Sequence, residues 1–95
     1  MLDVRIRMTE ENRQIRIRRL IYRSCYTGTR ETDMLLGQFA AQYLPDLNHS
    51  QLDECEQILE EGDPNILAWV RGDLTVPDAL NGSVFQMIKS FKSIL

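Results

Sequence analysis

Glycine and proline cut this chain into helix-length pieces, and that punctuation limits the fold more than any other feature. Gly28, Pro45, Gly62, Pro64, Gly72, Pro77 and Gly82 each stand at or beside the end of a segment with helical apolar spacing. A proline pushes the residue before it out of the helical region, and a glycine ends a helix without a Cβ penalty. The pieces between them are too short to be stable alone, so they must pack on one another. Five short helices in a compact all-α bundle are predicted.

In order, residues 1–8 alternate apolar and polar, a period-2 pattern that has no partner strand, and 1–9 is read as a flexible or loosely docked arm. Thr9-Glu10-Glu11 is a helix-start signature, so helix one is expected over about 10–25, with Ile15, Ile17, Leu20, Ile21 and Ser24 on one face. Arg13, Arg16, Arg19 and Arg23 fall about one turn apart on another face. Helix two is expected over about 30–43, its core stripe formed by Leu35, Leu36, Phe39, Ala40 and Tyr43. Gly37 inside that helix costs about 1 kcal/mol of propensity relative to Ala, which a close helix crossing would explain.

Asn48-His49-Ser50-Gln51 opens helix three, with Leu52, Cys55, Ile58 and Leu59 inward and Asp53, Glu54, Glu56, Gln57 and Glu60 outward. Asp63 is expected to cap helix four, with Pro64 at its first position, and Ile66, Leu67, Trp69 and Val70 follow before Gly72. Trp69 reads as a core anchor. The last helix is expected over about 83–93, with Val84, Phe85, Ile88 and Phe91 on one face. The whole is read as one domain over 1–95.

Charge is unevenly spread. Residues 1–30 hold eight arginines against three acids, while 31–95 hold three basic residues against eleven acids. Two readings stand: a surface for an acidic partner or nucleic acid on helix one, or pairing between the two halves. The overall charge of −3 argues against nucleic acid. No apolar run approaches the roughly 18–20 residues that span a bilayer, so membrane insertion is not expected. The first residues carry no basic-then-apolar secretory pattern. Cys25 and Cys55 form no C-x-x-C pair, and Cys55 reads as a core residue. His49, the only histidine, is placed at a helix start and reads as a cap. No nucleophile–base set and no metal-ligand spacing is present, so the chain reads as a binding module, not an enzyme.

The stretch best suited to contact a partner is Tyr22 to Asp33. Gly28 tolerates positive φ and turns the chain, and Thr29 caps helix two. Glu31 and Asp33 sit at that helix's positive end. The candidate contact residues are Gly28, Glu31, Thr27, Arg30, Tyr22, Arg23 and Asp33. From these residues alone, Gly28 reads rather as a C-cap and Glu31 as a favourable first-turn acid.

Arg19-Leu20-Ile21-Tyr22-Arg23-Ser24, then Gly28-Thr29-Arg30-Glu31-Thr32-Asp33, then Leu35-Leu36-Gly37-Gln38-Phe39 resembles the FAD assembly factor SdhE family. That family is also known as succinate dehydrogenase assembly factor 2. The resemblance continues through Leu59, Asp63-Pro64 and Trp69 to Gly72, covering about 15–72. It implies a five-helix, chaperone-like maturation factor that binds the flavoprotein subunit of succinate dehydrogenase or fumarate reductase. The factor promotes covalent FAD attachment there, so FAD belongs to the partner, and none is expected to stay on this chain. The bond is made within the flavoprotein, so no catalytic residue is required here. A monomer is expected, in the cytoplasm, or in the mitochondrial matrix for a mature eukaryotic chain. The family's Arg-Gly-x-x-Glu motif is matched at Gly28 and Glu31, but Thr27 stands at the Arg position, losing a five-donor cation. Arg30 can reach the same region from the other side of the turn. A toxin-neutralising role, or nucleic-acid binding through the arginine face, is the alternative.

Overall fold

The computed structural model describes residues 2–94, with backbone only for 2–11. Five α-helices follow one another: α1 Leu2–Ser24, α2 Arg30–Tyr43, α3 His49–Glu61, α4 Asn65–Arg71 and α5 Ser83–Ser93. Two 3-10 turns, Leu44–Asp46 and Asp78–Leu80, bridge α2 to α3 and α4 to α5. The predicted all-α bundle is what forms.

Each helix exists because its ends are satisfied and one face is buried. Thr29 caps α2, accepting from the Thr32 N–H, and Leu35, Leu36, Phe39 and Ala40 turn inward. Pro45 tightens the end of α2 into a 3-10 turn. Asn48 and Gln51 form a reciprocal capping box on α3, which buries Leu52, Cys55, Ile58 and Leu59. His49 is therefore the first helical residue and is exposed; the capping role belongs to Asn48. Burial pushes the Cys55 thiol up to about 11, which keeps it a neutral core residue at physiological pH. Gly62 ends α3 with φ +70, and Gly72 ends α4 in the left-handed conformation.

The core gathers Ile17 and Leu20 of α1, the α2 and α3 stripes, Ile66, Trp69 and Val70 of α4, and Val84, Phe85, Ile88 and Phe91 of α5. Phe91 meets Phe39 and Tyr43 edge-on, with ring centroids 5.9 and 5.7 Å away, so α5 is locked onto α2 by aromatic packing. At eleven residues α5 needs that docking. It also needs a donor sink at its start, which α3 supplies: Glu54 Oε2 accepts from the Val84 N–H at 3.1 Å and from the Ser83 hydroxyl at 3.0 Å. Glu54, expected outward, is thus a cap delivered from another helix.

Three further expectations need correction. Helix one begins at Leu2, not near residue 10, so the arm expected over 1–9 is backbone-helical from Leu2 and continuous with α1. No glycine or proline interrupts 1–24, and a period-2 pattern without a partner strand does not outweigh helical propagation. Met1 lies outside the described residues. Ile15 is exposed, while Ile17, Leu20 and Ser24 of the same face are buried and Ile21 packs against the core. Helix four starts at Asn65, one residue later than expected, following a cis Asp63–Pro64 bond.

The close crossing expected at Gly37 is present. A Cβ built there would lie 2.9 Å from Cys25 Sγ, closer than van der Waals contact allows. Gly37→Ala should therefore lower stability by about 1 kcal/mol, overpacking of about 1–3 kcal/mol outweighing a propensity gain of about 1 kcal/mol. Urea denaturation of the double variant with Cys25→Ala should recover that loss. Strictly additive effects would show that the crossing is not the reason for the glycine.

Candidate functional site

The corner between α1 and α2 is held by three sets of hydrogen bonds. α1 frays out through i to i+3 bonds, Cys25 N–H to Tyr22 C=O and Tyr26 N–H to Arg23 C=O. Gly28 lies four residues beyond the helix, with φ +141, so it shapes the turn and is not the C-cap of α1. Asp33 reaches back from the first turn of α2 and accepts from the Thr27 backbone N–H and, at 2.7 Å, from the Thr27 hydroxyl. These bonds, the hydroxyl's first, hold the Asp33 carboxyl below its ordinary range.

The third tie comes from the α3–α4 junction. Asp63 Oδ2 accepts from the Thr29 hydroxyl at 2.8 Å and from the Thr29 N–H at 3.2 Å. A Cβ added to Gly28 would lie 3.3 Å from the Asp63 Cβ, so the close approach of Asp63 also depends on the glycine. Asp63 therefore does not cap α4 as expected. It places a negative charge at the start of α2, where the helix dipole favours it. Thr32, fully buried, completes the network with its hydroxyl 3.0 Å from that of Thr29.

The predicted contact residues separate into three groups. Thr27 and Asp33 are occupied with each other, and Gly28 shapes the turn. Glu31 and Arg30 are presented outward: Arg30 is exposed, and Glu31, half-exposed, accepts at 2.6 Å from Arg71 at the end of α4. Tyr22 is 67% exposed and pairs with Tyr26, 70% exposed, with centroids 4.8 Å apart. Arg23 turns away toward α3, 3.8 Å from Glu56.

Two more arginines of that face are engaged within the chain. Arg16 donates to both Asp53 and Glu56, which raises its pKa further, and Arg13 donates to the Pro45 carbonyl at 2.8 Å. Of the two readings of the charge asymmetry, pairing between α1 and α3 accounts for Arg16 and Arg23, while Arg19 is exposed and forms no ion pair among the described residues.

Sequence reasoning missed Asp63, Arg71 and Tyr26. The first two act across 34 and 40 residues and carry no local signature. Tyr26 was legible, standing one helical turn after Tyr22.

A protein-family model described as flavinator of succinate dehydrogenase matches residues 18–92, well past the 72 at which the motif resemblance ends. The mitochondrial succinate dehydrogenase assembly factor 2 of Kluyveromyces lactis is 36% identical over 90 residues, covering 90% of this chain and 55% of that protein. The protein of the same name from Meyerozyma guilliermondii is 44% identical over 64 residues, 67% of this chain and 47% of the relative. The FAD assembly factor SdhE of Acetobacter pasteurianus is 37% identical over 71 residues, covering 75% of this chain and 65% of the relative. The chain spans about half the length of the curated relatives it matches first.

The Asp33 clasp has a pH signature. Its folded pKa lies below the unfolded value of about 3.9, so its contribution is complete above that value and is lost as pH falls through the folded one. Thr27→Val should raise the Asp33 pKa toward the ordinary range in an NMR titration, and Asp33→Asn should flatten the acid limb of the stability profile. An unchanged Asp33 titration in Thr27→Val would contradict the clasp.

Proposed function

This chain belongs to the family of flavinators of succinate dehydrogenase, and we propose that it is a maturation factor promoting covalent FAD attachment to a succinate dehydrogenase or fumarate reductase flavoprotein subunit. The observation that carries the reading is the corner itself: it lies inside the matched region and presents Glu31 on a turn held rigid by residues that do not face outward.

In this reading the chain performs no bond making. FAD is carried by the flavoprotein, and so is the chemistry that attaches it. The chain docks its corner on that subunit and stabilises the conformation in which flavin and acceptor meet, by the differential affinity that any conformational effector requires. Glu31 is suited to this role. Its pair with Arg71 is a half-exposed surface pair, worth at most about 1 kcal/mol, so a donor group of the partner can replace the arginine. Arg30, exposed beside it, contributes a cation where the family motif places one at Thr27. Thr27 instead spends its hydroxyl on Asp33. Working site: the cytoplasm or, for a mature eukaryotic chain, the mitochondrial matrix, as a monomer. Among the described residues no helix is long and apolar enough to cross a membrane.

The test is co-expression with the cognate flavoprotein in a host lacking its own assembly factor, reading covalent flavin fluorescence in a denaturing gel. Flavin should depend on this chain and fall at least about tenfold with Glu31→Ala, the effect of losing one charge-assisted contact. Thr27→Arg should raise it. No flavin above the empty vector, with the chain folded, would end the proposal.

A further inference from the structure

From the corner an open groove of about 320 Å³ continues along α2, lined by Glu31, Met34, Leu35, Gln38, Leu67 and Lys92. Glu31, Met34 and Gln38 recur at i, i+3 and i+7, one stripe of α2 that the core leaves free. Met34 is 55% exposed on a helix whose next two residues, Leu35 and Leu36, are buried. Other exposed apolar side chains, Ile15 on α1 and Leu74 after α4, line none of this groove and are ordinary as isolated surface residues.

Its two ends carry opposite charge. Glu31 marks the end at the turn, in the first turn of α2; Lys92 follows Phe91, which packs on Phe39 in the later turns of α2, and marks the other. Arg16 and Arg23 are committed to acids of α3 and Arg71 meets Glu31 in an exchangeable surface pair, whereas Lys92 forms no ion pair among the described residues. An apolar slot with an anion at one end and an uncommitted cation at the other selects its occupant by charge. A thioether in the floor adapts to the shape of an incoming side chain.

We infer that this groove is the second half of the docking surface and takes from the flavoprotein a segment with an apolar side chain flanked by a cation toward Glu31 and a carboxylate toward Lys92. The partner's identity rests on the proposed function; the groove, its polarity and its continuity with the turn do not. A second copy of this chain matches the charges but not the shape, because two facing concavities enclose a void where an interface needs packed atoms.

The test uses the full chain and purified cognate flavoprotein, with titration calorimetry for affinity and thermal melts for folding. Met34→Asp and Lys92→Glu should each weaken binding at least about tenfold, with Lys92→Arg and Ile15→Asp close to the parent and all melting temperatures alike. Parental affinity in Met34→Asp and Lys92→Glu, with binding lost in Glu31→Ala, would overturn the groove and leave the corner standing. Loss of a dimer in sedimentation, with flavoprotein affinity intact, would assign the groove to a second copy and overturn it equally. No binding by the parent chain would remove both.

Discussion

The distance between α1 and α2 governs the functional half of this molecule. At Gly37 the helices meet so closely that Cys25 Sγ fills the space a Cβ would need. That contact fixes where α1 must end and where α2 must begin, and the short link between them is forced into a corner. A corner made by sterics alone would still have loose polar groups at the first turn of α2. Thr29 satisfies one of them, Asp33 folds back on Thr27, and Asp63 ties the turn to the α3–α4 junction. The outward residues, Arg30 and Glu31, then project from a frame whose own hydrogen bonds point inward.

Charge follows the same division of labour. Two arginines of α1, Arg16 and Arg23, are placed against Asp53 and Glu56 of α3. On the α2, α4 and α5 side a partner meets Arg30, the exchangeable Glu31–Arg71 pair, and Lys92. A chain of net charge −3 can thus present a locally mixed, directional surface without any large single-sign field.

Much of this was legible because it is local. Thr29, Asn48 with Gln51, Pro45, Gly62 and Gly72 act within four residues of where they stand, so helix ends could be read from them. The apolar stripes of α2, α3 and α5 also obey a local period, and their members are buried as expected except Tyr43, which is only partly buried against the core. What escaped reading is non-local. Asp63 looks like a cap for the helix that follows it and serves the one before last; Glu54 looks like a solvated helix acid and caps α5. In both cases a carboxylate answers orphan N–H or hydroxyl donors brought near by the tertiary fold, and no spacing rule anticipates that. Ile15 failed for the opposite reason: it keeps helical spacing, but α1 extends past the edge of the bundle that would have covered it.

The central claim is that the corner and the adjoining stripe of α2 form the contact surface, while Arg16 and Arg23 of α1 stay engaged with Asp53 and Glu56 of α3. Hydrogen–deuterium exchange of this chain, alone and with the cognate flavoprotein, tests it most directly. The account predicts slowed exchange in peptides covering 27–38 and no change in those covering 53–60. Protection concentrated on α3 and the arginine face of α1, with 27–38 unaffected, would contradict it.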